Sequence, residues 1–145
     1  MAALPPITAL IPHRPPMLLV DEVVSHEGLS VVCRTTIRED MPFVQDGEVP
    51  MQLALELFAQ SAASLVALLA SRGGAPLTSG AILGSRHLSL SAGPLRVGDT
   101  LEIHCEEKMA LGVTAQIECE MRRDGERVAA GSINVMAGAP GGSEA

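Results

Sequence analysis

Tryptophan and tyrosine are absent from this 145-residue chain, and only Phe43 and Phe58 carry aromatic rings. A core built from it must be aliphatic, and the stacking platforms that single-strand nucleic-acid binders use are missing. Lysine occurs once, at Lys108, beside nine arginines with no basic run longer than Arg122-Arg123, and the formal charge is −7. That balance opposes binding to a phosphate backbone, so nucleic acid is not an expected partner. The cysteines, Cys33, Cys105 and Cys119, are odd in number, far apart and without CxxC or Cys/His spacing. They read as buried free thiols in a reducing cytoplasm. The four histidines show no metal-ligand spacing, and no Walker, dinucleotide or Ser-His-Asp motif occurs, so neither metal nor cofactor is expected. Five prolines interrupt the first seventeen residues (MAALPPITALIPHRPPM), which do not read as a secretion signal.

What the chain has is one long apolar segment. Val49 to Ala70 reads VPMQLALELFAQSAASLVALLA, with Glu56 as its only charged side chain. Gln52, Glu56, Gln60 and Ser64 recur at intervals of four, which puts them on one face of a helix expected over Met51 to Ala70. Glu56 and the two glutamines argue for a core helix rather than a membrane span. A buried carboxylate costs several kcal/mol unless paired or protonated, so Glu56 needs either a partner or a task. Pro50 suits the first turn, and Ser71-Arg72-Gly73-Gly74 closes the helix.

Around the helix the pattern is β. Met17 to Ser25 and Leu29 to Arg38 read as antiparallel strands across His26-Glu27-Gly28-Leu29, and a turn or single-turn helix is expected near His13-Arg14. Glu39 to Pro50 is a loop with Asp46-Gly47 as its turn signal. Strands are expected over Ala81 to Ser91, Thr100 to Met109, Gly112 to Arg122 and Arg127 to Met136, with a bend at Val97-Gly98-Asp99 and a hairpin at Asp124-Gly125. Residues 1–137 then form one α+β domain, an antiparallel curved sheet wrapped around one central helix, and 138–145 (GAPGGSEA) a disordered tail. A helix apolar nearly all round is not covered by one sheet, which implies a second subunit.

Ile11-Pro12-His13-Arg14-Pro15-Pro16-Met17-Leu18-Leu19-Val20-Asp21 resembles the opening motif of the hot-dog-fold 3-hydroxyacyl-[acyl-carrier-protein] dehydratases, and Leu55-Glu56-Leu57-Phe58-Ala59-Gln60 is similar to the start of their central helix. Ile82-Leu83-Gly84 and Pro94 to Asp99 look like the next strand and bend, so the likeness covers roughly residues 8 to 137. It is nearest the aryl-polyene-type branch. The resemblance implies a hot-dog dimer, homodimeric or paired with a related hot-dog subunit, or a higher oligomer, with sites at the subunit interface. It also implies elimination of water from a 3-hydroxyacyl thioester of acyl carrier protein or coenzyme A, giving a trans-2-enoyl thioester in fatty-acid or polyene-type biosynthesis.

Such an elimination needs a base for the α-proton, an acid for the hydroxyl and donors for the thioester oxyanion. Glu56 can serve as acid or base; the alternative is a structural carboxylate bonded across the dimer to an arginine or an amide. Standard members carry a histidine on the loop before the helix, whereas here no histidine lies between His26 and His87. His13 is the available substitute as base, or else a structural hydrogen-bonder. The helix start after Pro50 offers free amides, and Met51 stands where the family places a glycine donor. Gln60 could orient Glu56 or contact substrate, and Arg72, Arg86 and Arg96 could receive an acidic carrier protein or a phosphopantetheine phosphate. Two rival readings are a hot-dog thioesterase using one helix carboxylate, and a non-catalytic subunit that completes an active dehydratase.

Overall fold

The computed structural model describes residues 4–71, 80–112 and 114–137. After a 3-10 turn at Ile7–Ala9, the strands are β1 (Glu22–Glu27), β2 (Ser30–Thr36) and the short β3 (Glu48–Val49). Helix α1 (Leu53–Ser71) follows, then β4 (Gly80–Leu90), β5 (Leu95–Arg96), β6 (Thr100–Leu111), β7 (Thr114–Arg123) and β8 (Glu126–Ala137). Six strands form one antiparallel sheet in the order β1-β2-β6-β7-β8-β4, and β3 pairs with β5 in a small ribbon. The expected tail 138–145 and the helix end from Arg72 to Gly74 lie outside the described residues.

Period-two patterning builds the sheet. In β2 the inward residues are Val31, Cys33 and Thr35, in β6 Leu101, Ile103 and Cys105, and in β7 Ile117, Cys119 and Met121, all buried. Against this surface α1 buries Leu57, Phe58, Ala62 and Leu65. A helix in the palm of a curved antiparallel sheet is the hot-dog arrangement. Phe58 is the one aromatic ring in an otherwise aliphatic core, while Phe43 is 61% exposed. Two turns are fixed by paired left-handed residues, Asp46 (φ 54°) with Gly47 (φ 77°) and Asp124 (φ 55°) with Gly125 (φ 78°). Both match the tight hairpin geometry expected of Asp-Gly.

Three local expectations are corrected. Residues 17–20 are not part of β1: the Leu19 and Val20 amides donate to the Gln60 side chain, and sheet bonding starts only at Asp21 N, 3.0 Å from Arg34 O. Pro50 lies ahead of α1 rather than in its first turn. Leu53 N, Ala54 N and Leu55 N donate to Pro50 O, Met51 O and Gln52 O, which leaves Met51 and Gln52 in a lead-in turn. The N-terminal turn falls at Ile7–Ala9 and again at Pro15-Pro16, on either side of His13.

Uncovered surface follows a pattern. Along α1 the half-buried residues are Leu55, Glu56, Ala59, Ala63, Val66 and Leu69, a stripe at helical spacing that the chain's own sheet does not close. At the sheet edge β4 has, among the described residues, a strand neighbour on one side only, β8. No helix among the described residues is long and apolar enough to cross a membrane.

Candidate active site

Residues from the opening motif and from the central helix meet at one place. His13 Nε2 lies 3.9 Å from Glu56 Oε2, with the two side chains 32% and 37% exposed. This separation is beyond a hydrogen bond but close enough for an ion pair. The carboxylate is therefore not enclosed by one chain, as expected of a helix that one sheet does not cover. In the first turn of α1 it also sits at the positive end of the helix dipole.

Gln60, one helical turn beyond Glu56, is fully buried and organises the site. Its Oε1 accepts from Leu19 N at 2.9 Å and Val20 N at 3.2 Å, and its Nε2 donates to Met17 O at 2.8 Å and to Glu56 Oε2 at 3.0 Å. One amide thus staples the segment that carries His13 to the helix that carries Glu56. Thr35 Oγ1 adds a hydrogen bond to Leu19 O from β2, and Arg14 closes the segment on itself by donating to the carbonyls of Thr8, Ile11 and His13. His13 Nδ1 is buried and has no hydrogen-bond partner among the described residues.

The remaining candidates divide. Met51 is 4% exposed, and its backbone N–H donates to no group among the described residues, so it keeps a free donor just ahead of α1 after Pro50. Ser64 is buried and turned inward, with its hydroxyl on Ser61 O at 2.6 Å, while Gln52 is exposed in the lead-in turn. The four-residue stripe therefore breaks into an open pair, Gln52 and Glu56, and a buried pair, Gln60 and Ser64. Arg96 is engaged by Glu48 at 2.8 Å; Arg72 and the side chain of Arg86 lie outside the described residues. His26 meets Gly28 O, and His87 and His104 face Glu118 and Glu102, all remote in the chain from the His13–Glu56 pair.

Sequence spacing could not reveal that Gln60 holds residues 17–20, a contact across about forty positions. The available signal was negative: a buried amide one turn from the carboxylate needs four partners and has no strand to supply them.

Comparison with known proteins places the chain. A family model described as ApeP-like, ApeP dehydratase, matches residues 5–141. The 3-hydroxyacyl-[acyl-carrier-protein] dehydratase FabZ of Chloroflexus aggregans is 32% identical over 120 residues, covering 78% of this chain and 81% of that protein. FabZ of Agrobacterium fabrum is 28% identical over 136 residues, covering 90% and 86%. Among solved structures, the dehydratase heterocomplex ApeI:P from Xenorhabdus doucetiae superposes with a TM-score of 0.87 at 24% identity, over 93% of this chain and 92% of that one. The hot-dog fold and the match over nearly the whole length agree: this chain belongs to the ApeP-like dehydratase family.

Proposed function

We propose that the chain eliminates water from a 3-hydroxyacyl thioester carried on acyl carrier protein or coenzyme A, with His13 and Glu56 as its acid–base pair. The observation that carries this reading is the 3.9 Å approach of the two side chains beside an open flank of α1. Neutral His13 takes the proton from C2 as the C2–C3 double bond forms. Protonated Glu56 delivers a proton to the C3 hydroxyl, which leaves as water. The pair ends with its one proton moved from carboxyl to imidazole, and return of that proton by way of water, the 3.9 Å gap being too long for direct transfer, resets it. The Met51 amide, with no acceptor among the described residues, serves the thioester oxygen as charge builds there.

The flank is the place for a second hot-dog subunit, identical or related, which would cover the Leu55, Ala59, Ala63 and Val66 stripe and extend the sheet at β4. That the ApeI:P dehydratase is a heterocomplex favours a related subunit as partner. The setting is cytoplasmic fatty-acid or aryl-polyene-type synthesis. The histidine-free loop before α1 favours one further reading, a subunit that completes a partner's site and has no chemistry of its own.

The deciding assay follows enoyl-thioester absorbance and free thiol in parallel, for the chain alone and co-expressed with a histidine-bearing paralogue. Enoyl formation that drops by about 10²-fold or more in Glu56→Gln and in His13→Ala supports the dehydratase. Thiol release without enoyl product identifies a thioesterase instead, and full activity of the Glu56→Gln assembly leaves only the structural role.

A further inference from the structure

The carboxylate of Glu56 has two oxygens, and its surroundings treat them differently. Oε2 accepts the Gln60 amide at 3.0 Å and is the oxygen nearest His13; Oε1 has no partner among the described residues. The difference traces to three backbone groups that leave Gln60 no choice of orientation. The N–H groups of Leu19 and Val20 can only donate, so they demand its oxygen, and the C=O of Met17 can only accept, so it demands the NH₂. A flipped amide would set NH₂ against two N–H groups and oxygen against a carbonyl. With the residue fully buried, no water relieves that mismatch. The second N–H of the same NH₂ is then directed at Glu56, at the i to i+4 spacing that α1 enforces.

From this geometry we infer that Gln60 is a positioning residue that assigns the two oxygens different tasks. Oε2, facing an N–H, stays unprotonated in both states of the carboxyl. Oε1 therefore bears the hydrogen that is handed to the C3 hydroxyl and is the atom around which the substrate is placed. The catalytic half of this inference rests on the dehydratase reading; the assignment of the oxygens does not.

Two measurements separate them. In ¹⁵N-labelled protein the side-chain amides of the four glutamines, Gln45, Gln52, Gln60 and Gln116, are followed against pH. The Gln60 NH₂ protons should shift with the titration of Glu56, and the shift should vanish in Glu56→Gln. A Gln60 signal that ignores pH, or that still moves in Glu56→Gln, overturns the assignment whether or not the protein is an enzyme. In the active assembly, Gln60→Glu keeps an acceptor for Leu19 and Val20 but replaces two N–H donors by at most one O–H, for which Met17 O and Oε2 compete. Its kcat should fall at least about tenfold with KM changed far less. An unchanged kcat would refute the positioning role while leaving the dehydratase reading intact.

Discussion

Replacing Gln60 by methionine tests how much of the fold hangs on the staple. The side chains are close in volume, so the change removes hydrogen bonds without opening a cavity. Four bonds are lost, but they are not equal. Met17 is 43% exposed and the Glu56 side chain 37%, so water can take over at Met17 O and at the carboxylate. Leu19 and Val20 are 0% and 1% exposed, and their amides have no route to solvent. An orphaned buried donor costs about 1–3 kcal/mol, and two that shared one acceptor lose somewhat less than twice that. Removing a buried amide for an apolar group returns on the order of 1 kcal/mol. The net expectation is a loss of about 2–3 kcal/mol, read from urea unfolding at fixed protomer concentration, with the slope unchanged. Gln52→Met, at an exposed position, is the control and should stay within about 0.5 kcal/mol. Hydrogen exchange should quicken at residues 19 and 20 first. If Gln60→Met costs no more than the control, the N-terminal segment is held by something other than this amide.

Burial pushes the Cys33 thiol up, and Cys105 is pushed well up by its hydrogen bond with Cys119 and then by burial. Folding therefore favours the protonated thiols; their contribution is complete below the ordinary thiol range and is lost as pH rises above it, by about 1.4 kcal/mol per pH unit for each thiol until the folded value is reached. Urea midpoints from neutral to alkaline pH should show this fall, Cys33→Ala with Cys105→Ala should flatten it, and rapid alkylation of the native protein at neutral pH would contradict it. If the site is built within one chain, mixing His13→Ala and Glu56→Gln homodimers restores nothing. Were His13 to serve the partner's Glu56, random exchange would rebuild about one quarter of the sites, since half the dimers would each hold one intact pair.

The large features were legible because each rests on local chemistry. Alternation in Ser30–Thr36 and Thr100–Leu111, the Asp-Gly turns and the apolar run of α1 each follow from neighbouring residues. Met17–Val20 was misread because Met-Leu-Leu-Val has strand composition, and composition does not say which acceptor its amides will find. The Gln60 oxygen competes with a neighbouring strand and wins, since it is already buried and needs two donors. Glu56 was legible as an anomaly, and so was the partial cover of its helix: a helix apolar nearly all round outruns one sheet, and the Leu55, Ala59, Ala63 and Val66 stripe is indeed half open. The strained backbone of Phe43 (φ 74°), an exposed ring in the loop before α1, had no sequence signal.

The missing loop histidine looked like the loss of half the chemistry, and the geometry gives that absence a different meaning. A histidine on a loop depends on that loop's conformation. His13 instead belongs to a segment whose exit is fixed by three bonds to one buried amide and by Thr35, and whose interior is tied by the Arg14 guanidinium to three carbonyls. The same amide touches the carboxylate, so imidazole and carboxylate are referenced to one rigid element. What one chain still lacks is enclosure. Both side chains are about one-third exposed, and at that exposure a proton on either is exchanged with water and a charge on either is screened. A second subunit over the α1 stripe would supply the dry wall that makes the pair effective, and it could do so without contributing a reacting group. In that division of labour, replacing apolar residues on the partner's covering face lowers kcat as surely as replacing Glu56, though no proton passes through them.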